Sequence, residues 1–591
     1  MKSNIKKIFI PVASFIVCVV PVSAQLSKEV VIDRDIEPAM RAVSRPQLAP
    51  EMFSSPVQLK ALRPWEYTSQ GTVAKQLTLL EPAAYADTFA ISPYKGYARI
   101  GYFPTYNLGA SAGYRFIDNT TTKLGAWLNY AGCSYKMDGD RLLIPKDDKV
   151  TLTRHTFNLG ADLSHHTSQG SLDGDVSFMY ASIGQPIYAD NFTQSATAFN
   201  VGLTWKAATK TTPWSIGASF STFGFGDDTP GVLDGFPVVD PAVQYKPDAV
   251  REYVFGIKGG ILLPKGNHGW GLDVDARFQH LGAVNVLMPG VLPGSTSNEV
   301  GTYINNDKGV TYGVTRISPY YHLRKGNFTT RLGVNIDIAT KGNSGFYLTP
   351  DVTFAFTPSQ QFALWARVDG GKCLNTLQSL YDYSPYMLSQ LSYRQSAAAD
   401  ATVGVNVGPV YGFTASLWAG YSEAKDWLSA VYVGSANFFA SHNTSAFHYG
   451  LRLGWQCRQV EVYASAEGAQ NGDFDSYYMW RDKARWNINA GIRVTPVKQL
   501  DIAVDWKFRS GRHAWRLIPE IVDAQLPWGY WDAEVKTLGV LSDLNASATY
   551  RLTDAFSIFA NVENILGRRW QTVPGIDNAG VHGLVGVSYK F

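Results

Sequence analysis

Between residues 106 and 116 the even positions are Tyr106, Leu108, Ala110, Ala112, Tyr114 and Phe116, and the odd positions are Asn107, Gly109, Ser111, Gly113 and Arg115. A strict two-residue period of this kind belongs to a β-strand with one apolar face and one small or polar face. The same alternation returns along the chain. Phe157, Leu159, Ala161 and Leu163 interleave with Asn158, Gly160, Asp162 and Ser164; Phe199, Val201, Leu203 and Trp205 with Asn200, Gly202, Thr204 and Lys206; Trp270, Leu272, Val274, Ala276 and Phe278 with Gly271, Asp273, Asp275, Arg277 and Gln279. It runs to the last residue, where Val585, Val587, Tyr589 and Phe591 alternate with Gly586, Ser588 and Lys590. Many of these segments reach ten residues or more, against about five or six for an ordinary soluble strand. Aromatics gather near segment ends, as in the interfacial girdles of a membrane barrel.

A soluble antiparallel sandwich also alternates, so segment length and aromatic placement decide between the two. Beyond the first two dozen residues no apolar stretch approaches the ~18 residues that a spanning helix needs. In lipid the remaining option is a sheet closed on itself, because an open edge would leave backbone groups without partners. The sequence therefore predicts an all-β chain, a transmembrane antiparallel β-barrel. Ten tight polar turns, at 118–121, 167–170, 209–213, 264–269, 324–327, 357–361, 408–411, 457–459, 495–499 and 553–554, alternate with longer connections such as 227–249, 373–390 and 511–537. Short periplasmic turns and long extracellular loops are the bacterial arrangement. Ten turns with both barrel ends in the periplasm imply about 22 strands, the first near Gly96 and the last ending at Phe591. The stretch 425–445 resists this parsing.

The amino terminus indicates the compartment. Lys6 and Lys7 precede the apolar run Ile8 to Val20 and the small-residue exit Val22-Ser23-Ala24, the pattern of a secretory signal over 1–24. Residues 25–94 carry seven prolines and read as a periplasmic segment; the barrel occupies 95–591. The net charge of +3 gives no reason to expect nucleic acid. Cys18, Cys133, Cys373 and Cys457 lack metal-like spacing, and neither a cofactor nor a metal is expected.

Near the end, Asn564-Ile565-Leu566-Gly567-Arg568-Arg569-Trp570 and the closing Val585, Val587, Tyr589, Phe591 strand resemble the last hairpin of TonB-dependent receptors. That hairpin carries an N-[LI]-[FL]-[ND]-R-x-[YW] string before a terminal aromatic; Gly567 stands where Asn or Asp is usual. The resemblance implies an outer-membrane barrel of a Gram-negative envelope, with Val585, Val587, Tyr589 and Phe591 as the signal read by the barrel-assembly machinery. It also implies an N-terminal plug filling so wide a lumen, for which residues 25–94 are too short.

Enzyme-like matches fail on context. Gly109-Ala110-Ser111-Ala112-Gly113 fits G-x-S-x-G, yet the alternation continues through Ser111, whereas a nucleophile elbow needs a strand, a turn and a helix. His165 and His166 are adjacent on one strand and point to opposite faces, so they cannot share a metal. The chain is not expected to be an enzyme. By parity Lys258, Asp273, Asp275, Arg277 and Arg316 face the lumen, either as structural cross-strand pairs alone or as pairs that also bear on which solute passes. In the outer loops, Tyr381, Tyr383, Tyr386, Tyr477, Tyr478, Trp480, Trp515, Trp528 and Trp531 stand beside carboxylates and arginines. They suit a binding surface for glycan, peptide or protein, or they pack the loops together across the mouth. Two functions remain open: a channel, porin or receptor for solute uptake, similar to a TonB-dependent receptor without its plug, and a non-transporting subunit of an outer-membrane complex. Outer-membrane lipid surrounds the chain in both; the second adds a periplasmic or surface lipoprotein partner.

Overall fold

The computed structural model describes residues 94–591 other than 104–106, 139–148, 186–191, 208, 210, 227–250, 283, 288–302, 307–308, 341–344, 388–394, 434–435, 472–483 and 520–530. The signal and the Pro-rich segment thus lie outside the described residues. Among the described residues the main sheet has 24 strands, of which all but two form one closed antiparallel ring of 22. The ring opens with Gly96–Phe103, which pairs with Asn107–Asp118 on one side and with the final strand, His582–Lys590, on the other. The other two strands, Arg512–Pro519 and Trp531–Leu538, make a hairpin that meets the ring where Trp515 and Arg516 run parallel to Val431 and Tyr432.

The tight turns fall where the polar stretches predict. Lys265-Gly266-Asn267 and Lys325-Gly326-Asn327 are the same tripeptide, and each sets its glycine at positive φ, +64° and +56°, as a two-residue hairpin turn demands. The ambiguous stretch 425–445 is the upper part of the longest hairpin, Phe413–Val433 with Ala436–Gln456, each 21 residues long. A bulge between Ala424 and Trp427 places Asp426 at φ +50°. One extra residue breaks the period of two, which is why alternation could not be read through it.

Alternation sorts the faces. Ile100, Tyr102, Phe116, Leu203, Ile216, Leu263, Trp270, Phe346, Leu417 and Val585 are apolar and exposed on the outside, the surface that hydrocarbon covers. A closed ring with such a belt is an outer-membrane barrel. The last residue extends the seam past the paired strands: Phe591 N donates to Gly96 O at 3.0 Å, while Gly96 N and Lys95 N donate to Phe591 O at 2.8 Å each. The Phe591 ring stacks on Tyr114 and on Tyr589 with centroids 6.1 Å apart in both cases. It lies over Gly96, where any Cβ would strike it.

Candidate functional site

The apolar core of this molecule sits inside the barrel, at its outer mouth. There the lumen side of the wall becomes apolar, with Ala181, Ile183, Ala196, Ala198, Phe223, Phe225 and Leu281 buried in one cluster. The connection that follows strand Phe362–Cys373 folds inward onto this wall and forms a short helix, Leu377–Tyr383. Thr376 caps it, its hydroxyl accepting from Ser379 N at 3.2 Å. Leu377, Leu380 and Tyr381, at i, i+3 and i+4, form its buried stripe. The Tyr381 ring meets Phe223 at 5.3 Å and Phe225 at 6.1 Å, and Tyr386 and Met387 are buried in the same cluster.

Polar groups of the wall clasp the strap at both ends. Glu252, itself buried, accepts from Leu377 N through both carboxylate oxygens at 2.9 Å. Gln279 donates to Glu252 and to Asn375 O, the latter at 3.1 Å. Farther along, Gln194 Nε2 donates to Met387 O at 3.0 Å, Asn437 N to Tyr386 O at 3.1 Å, and Ser384 Oγ to Asn437 Oδ1 at 2.5 Å. Burial pushes the Tyr381 phenol up to about 12, against the pull of Arg154. Asp382 keeps contact with water, yet the protein crowding it pushes its carboxyl up to about 6, again with Arg154 pulling the other way.

Of the two readings open for these aromatics, this placement puts Tyr381 and Tyr386 with loop packing across the mouth, not with an exposed binding surface. Their loop is long enough to turn into the lumen, and the apolar patch waiting there takes the rings out of water. Tyr383 is half-buried, edge-on to Phe439 at 5.7 Å. Trp515 is half-buried on the outer hairpin. Of Trp531 the backbone alone is described, paired with Pro519. Tyr477, Tyr478, Trp480 and Trp528 lie outside the described residues.

Farther down, the lumen wall is ionic. Arg331 reaches Asp273 at 2.9 Å and Asp351 at 2.7 Å, and its guanidinium stacks on Tyr320 with 3.5 Å to the ring centre. Arg316 pairs with the fully buried Asp337 at 2.7 Å. Arg277 pairs with Asp275 on its own strand at 3.0 Å. Lys258 and Arg316 stand opposite Asp275 on the two flanking strands, so the five charges singled out by parity do share one wall. The network extends well past them: Asn335 donates to Asp369 at 2.9 Å, Arg367 pairs with Asp369, and His448 meets Asp400 at 2.7 Å. Parity on strands Phe328–Thr340, Gly345–Ser359 and Phe362–Cys373 would have reached Arg331, Asp337, Asp351, Arg367 and Asp369. The strand registers that join them are visible only in the folded sheet.

The Asn564 string makes a turn held by its first residue. Asn564, at φ +50°, donates through Nδ2 to Arg568 O at 2.8 Å and accepts from Arg568 N at 3.2 Å. Gly567 sits at φ +60°, the left-handed region that Asn, Asp and Gly share, so glycine is a conformational equivalent of the residues it replaces. Trp570 is buried against Leu541.

No protein-family model and no curated protein matches the sequence. Solved structures do match in fold. The siderophore receptor PirA of Acinetobacter baumannii superposes with a TM-score of 0.60 at 10% identity, over 84% of this chain and 80% of that one. The FrpB iron transporter of Neisseria meningitidis gives 0.59 at 11% identity, over 84% and 81%. The ferric enterobactin receptor PfeA of Pseudomonas aeruginosa gives 0.58 at 11%, over 84% and 80%. Such identities speak for fold alone: the chain shares the barrel fold of these outer-membrane receptors.

Proposed function

We propose that this protein takes up a solute across the outer membrane, through a lumen whose outer mouth is narrowed by its own inward-folded loop. The strap Leu377–Met387, packed on the inner wall and clasped by Glu252, Gln194 and Asn437, carries the reading. A wide barrel left open would leak, and this loop occupies the mouth. Siderophore receptors and an iron transporter share the fold, which supports the uptake class; the ionic wall beneath suits a polar solute. The terminal strand ending at Phe591 serves as the element the assembly machinery reads.

The test is bilayer conductance of the purified protein beside a variant in which residues 376–390 are replaced by a short Gly-Ser linker. The variant is expected to conduct several-fold more. Equal conductance in the two, with both barrels folded, would show that the passage does not run past the strap.

A further inference from the structure

One step round the ring from the strap's seat, the inner wall carries polar groups that no protein group satisfies. Arg154 stands opposite Cys133 and Ile183, Thr156 opposite Ala131 and Ala181, and Asn129 opposite Ser111 and Asn158. All three share the lumen face. Arg154 and Thr156 alternate on one strand, about 7 Å apart, and Asn129 is the diagonal neighbour of Thr156, roughly 7–8 Å away. Asn129 is 1% exposed and Thr156 7%. Both amide atoms of Asn129, the Thr156 hydroxyl, and Nε and Nη1 of Arg154 are buried without a hydrogen-bond partner.

Buried polar groups are overwhelmingly satisfied in native proteins, and each exception calls for a reason. A guanidinium is the strongest such case, since it cannot shed its charge. Elsewhere in this lumen Arg277, Arg316, Arg331 and Arg367 each hold a carboxylate. Arg154 has none within ion-pair distance among the described residues. Acids in its neighbourhood include Glu563, which acts with it on Cys133, Asp577, which acts with it on Tyr135, and Asp382. Glu563 is already held by His582 at 3.1 Å. Asp382, on the strap, feels the charge of Arg154 without bonding to it. Tyr381 and Tyr386 feel it as well, so the column borders the strap itself.

We propose that Arg154, Thr156 and Asn129 form a binding site for a carboxylate group carried by the solute. The guanidinium supplies charge and donors that match a planar carboxylate; the Thr156 hydroxyl and the Asn129 amide donate from below. This deepens the uptake reading and rests on it, because the column borders the strap at the mouth.

The test is calorimetric titration of the detergent-purified full chain with sodium succinate at constant ionic strength, with chloride and inorganic phosphate as comparison anions. Wild type is expected to bind succinate saturably. Arg154→Ala should weaken binding at least tenfold and Arg154→Lys less. Asn129→Asp, nearly isosteric, should also weaken it, because it sets a carboxylate against the incoming one. Heat-modifiable migration on gels confirms that each variant is a folded barrel. Absence of saturable succinate binding, equal binding by Arg154→Ala, or phosphate binding without succinate binding would each overturn the assignment. Binding is measured independently of conductance, so a silent channel that binds succinate refutes uptake and leaves the site standing.

Discussion

Glu252 shows how much one side chain can hold in this barrel. Both of its oxygens accept from the first amide of the strap helix, and Gln279 is oriented by donating to it. Glu252→Ala strands the buried Leu377 amide and one of the two N–H groups of the buried Gln279 carboxamide, at about 1–3 kcal/mol for each unsatisfied group. The loss falls on the docked loop, while the ring, stitched by its own ladders, stays closed. Limited proteolysis should therefore cut within 373–396 faster in this variant, with unchanged heat-modifiable migration of the barrel. Arg331 is a contrasting case: it is shared between Asp273 and Asp351 and supported by Tyr320, a structural knot in the wall. The charges Lys258, Asp273, Asp275, Arg277 and Arg316 were legible from parity, since a period of two assigns a face to every residue of a straight strand. Arg154 was not, because a lone arginine on a lumen face reads like its paired neighbours until the registers show that no carboxylate faces it.

At the scale of the element, the strap is an amphipathic turn of helix too short to persist alone; the wall it docks on stabilises it. Its docking depends on pH through Asp382. Crowding in the docked state raises this carboxyl from an ordinary 3.8 to about 6, so the docked form holds a proton that the free loop releases. Its contribution to docking is fully present below pH 4 and is lost as pH rises through about 6. Conductance at pH 4.5 is expected to be lower than at pH 7.5, and Asp382→Asn should flatten that difference. A pH profile that the substitution leaves unchanged would rule Asp382 out. The strap was only half legible in sequence. The aromatics of 377–390 stood out, but whether Tyr381 and Tyr386 faced outward or inward depended on Phe223 and Phe225 from strand Trp214–Phe225, about 150 residues earlier in the chain.

For the whole molecule, closure rests on the seam between the first and last strands. Deleting Phe591 removes three backbone hydrogen bonds at that seam, about 0.5–1.5 kcal/mol each, together with its stacking on Tyr114 and Tyr589. The truncated chain is expected to reach the outer membrane in several-fold lower amount, measured by quantitative blotting of membrane fractions; undiminished yield would deny the residue a role in closure. The strand class, the ten tight turns, the ring size and the outward faces were all present in the sequence, because side-chain alternation and turn chemistry are local. They failed locally too, at the Asp426 bulge, where one added residue reversed the faces. Tertiary structure alone decided what packs into the mouth, which lumen charges pair, and which arginine faces no carboxylate among the described residues. Each of these depends on residues far apart in the chain brought side by side by register and by a loop turning inward, and no local period encodes such meetings.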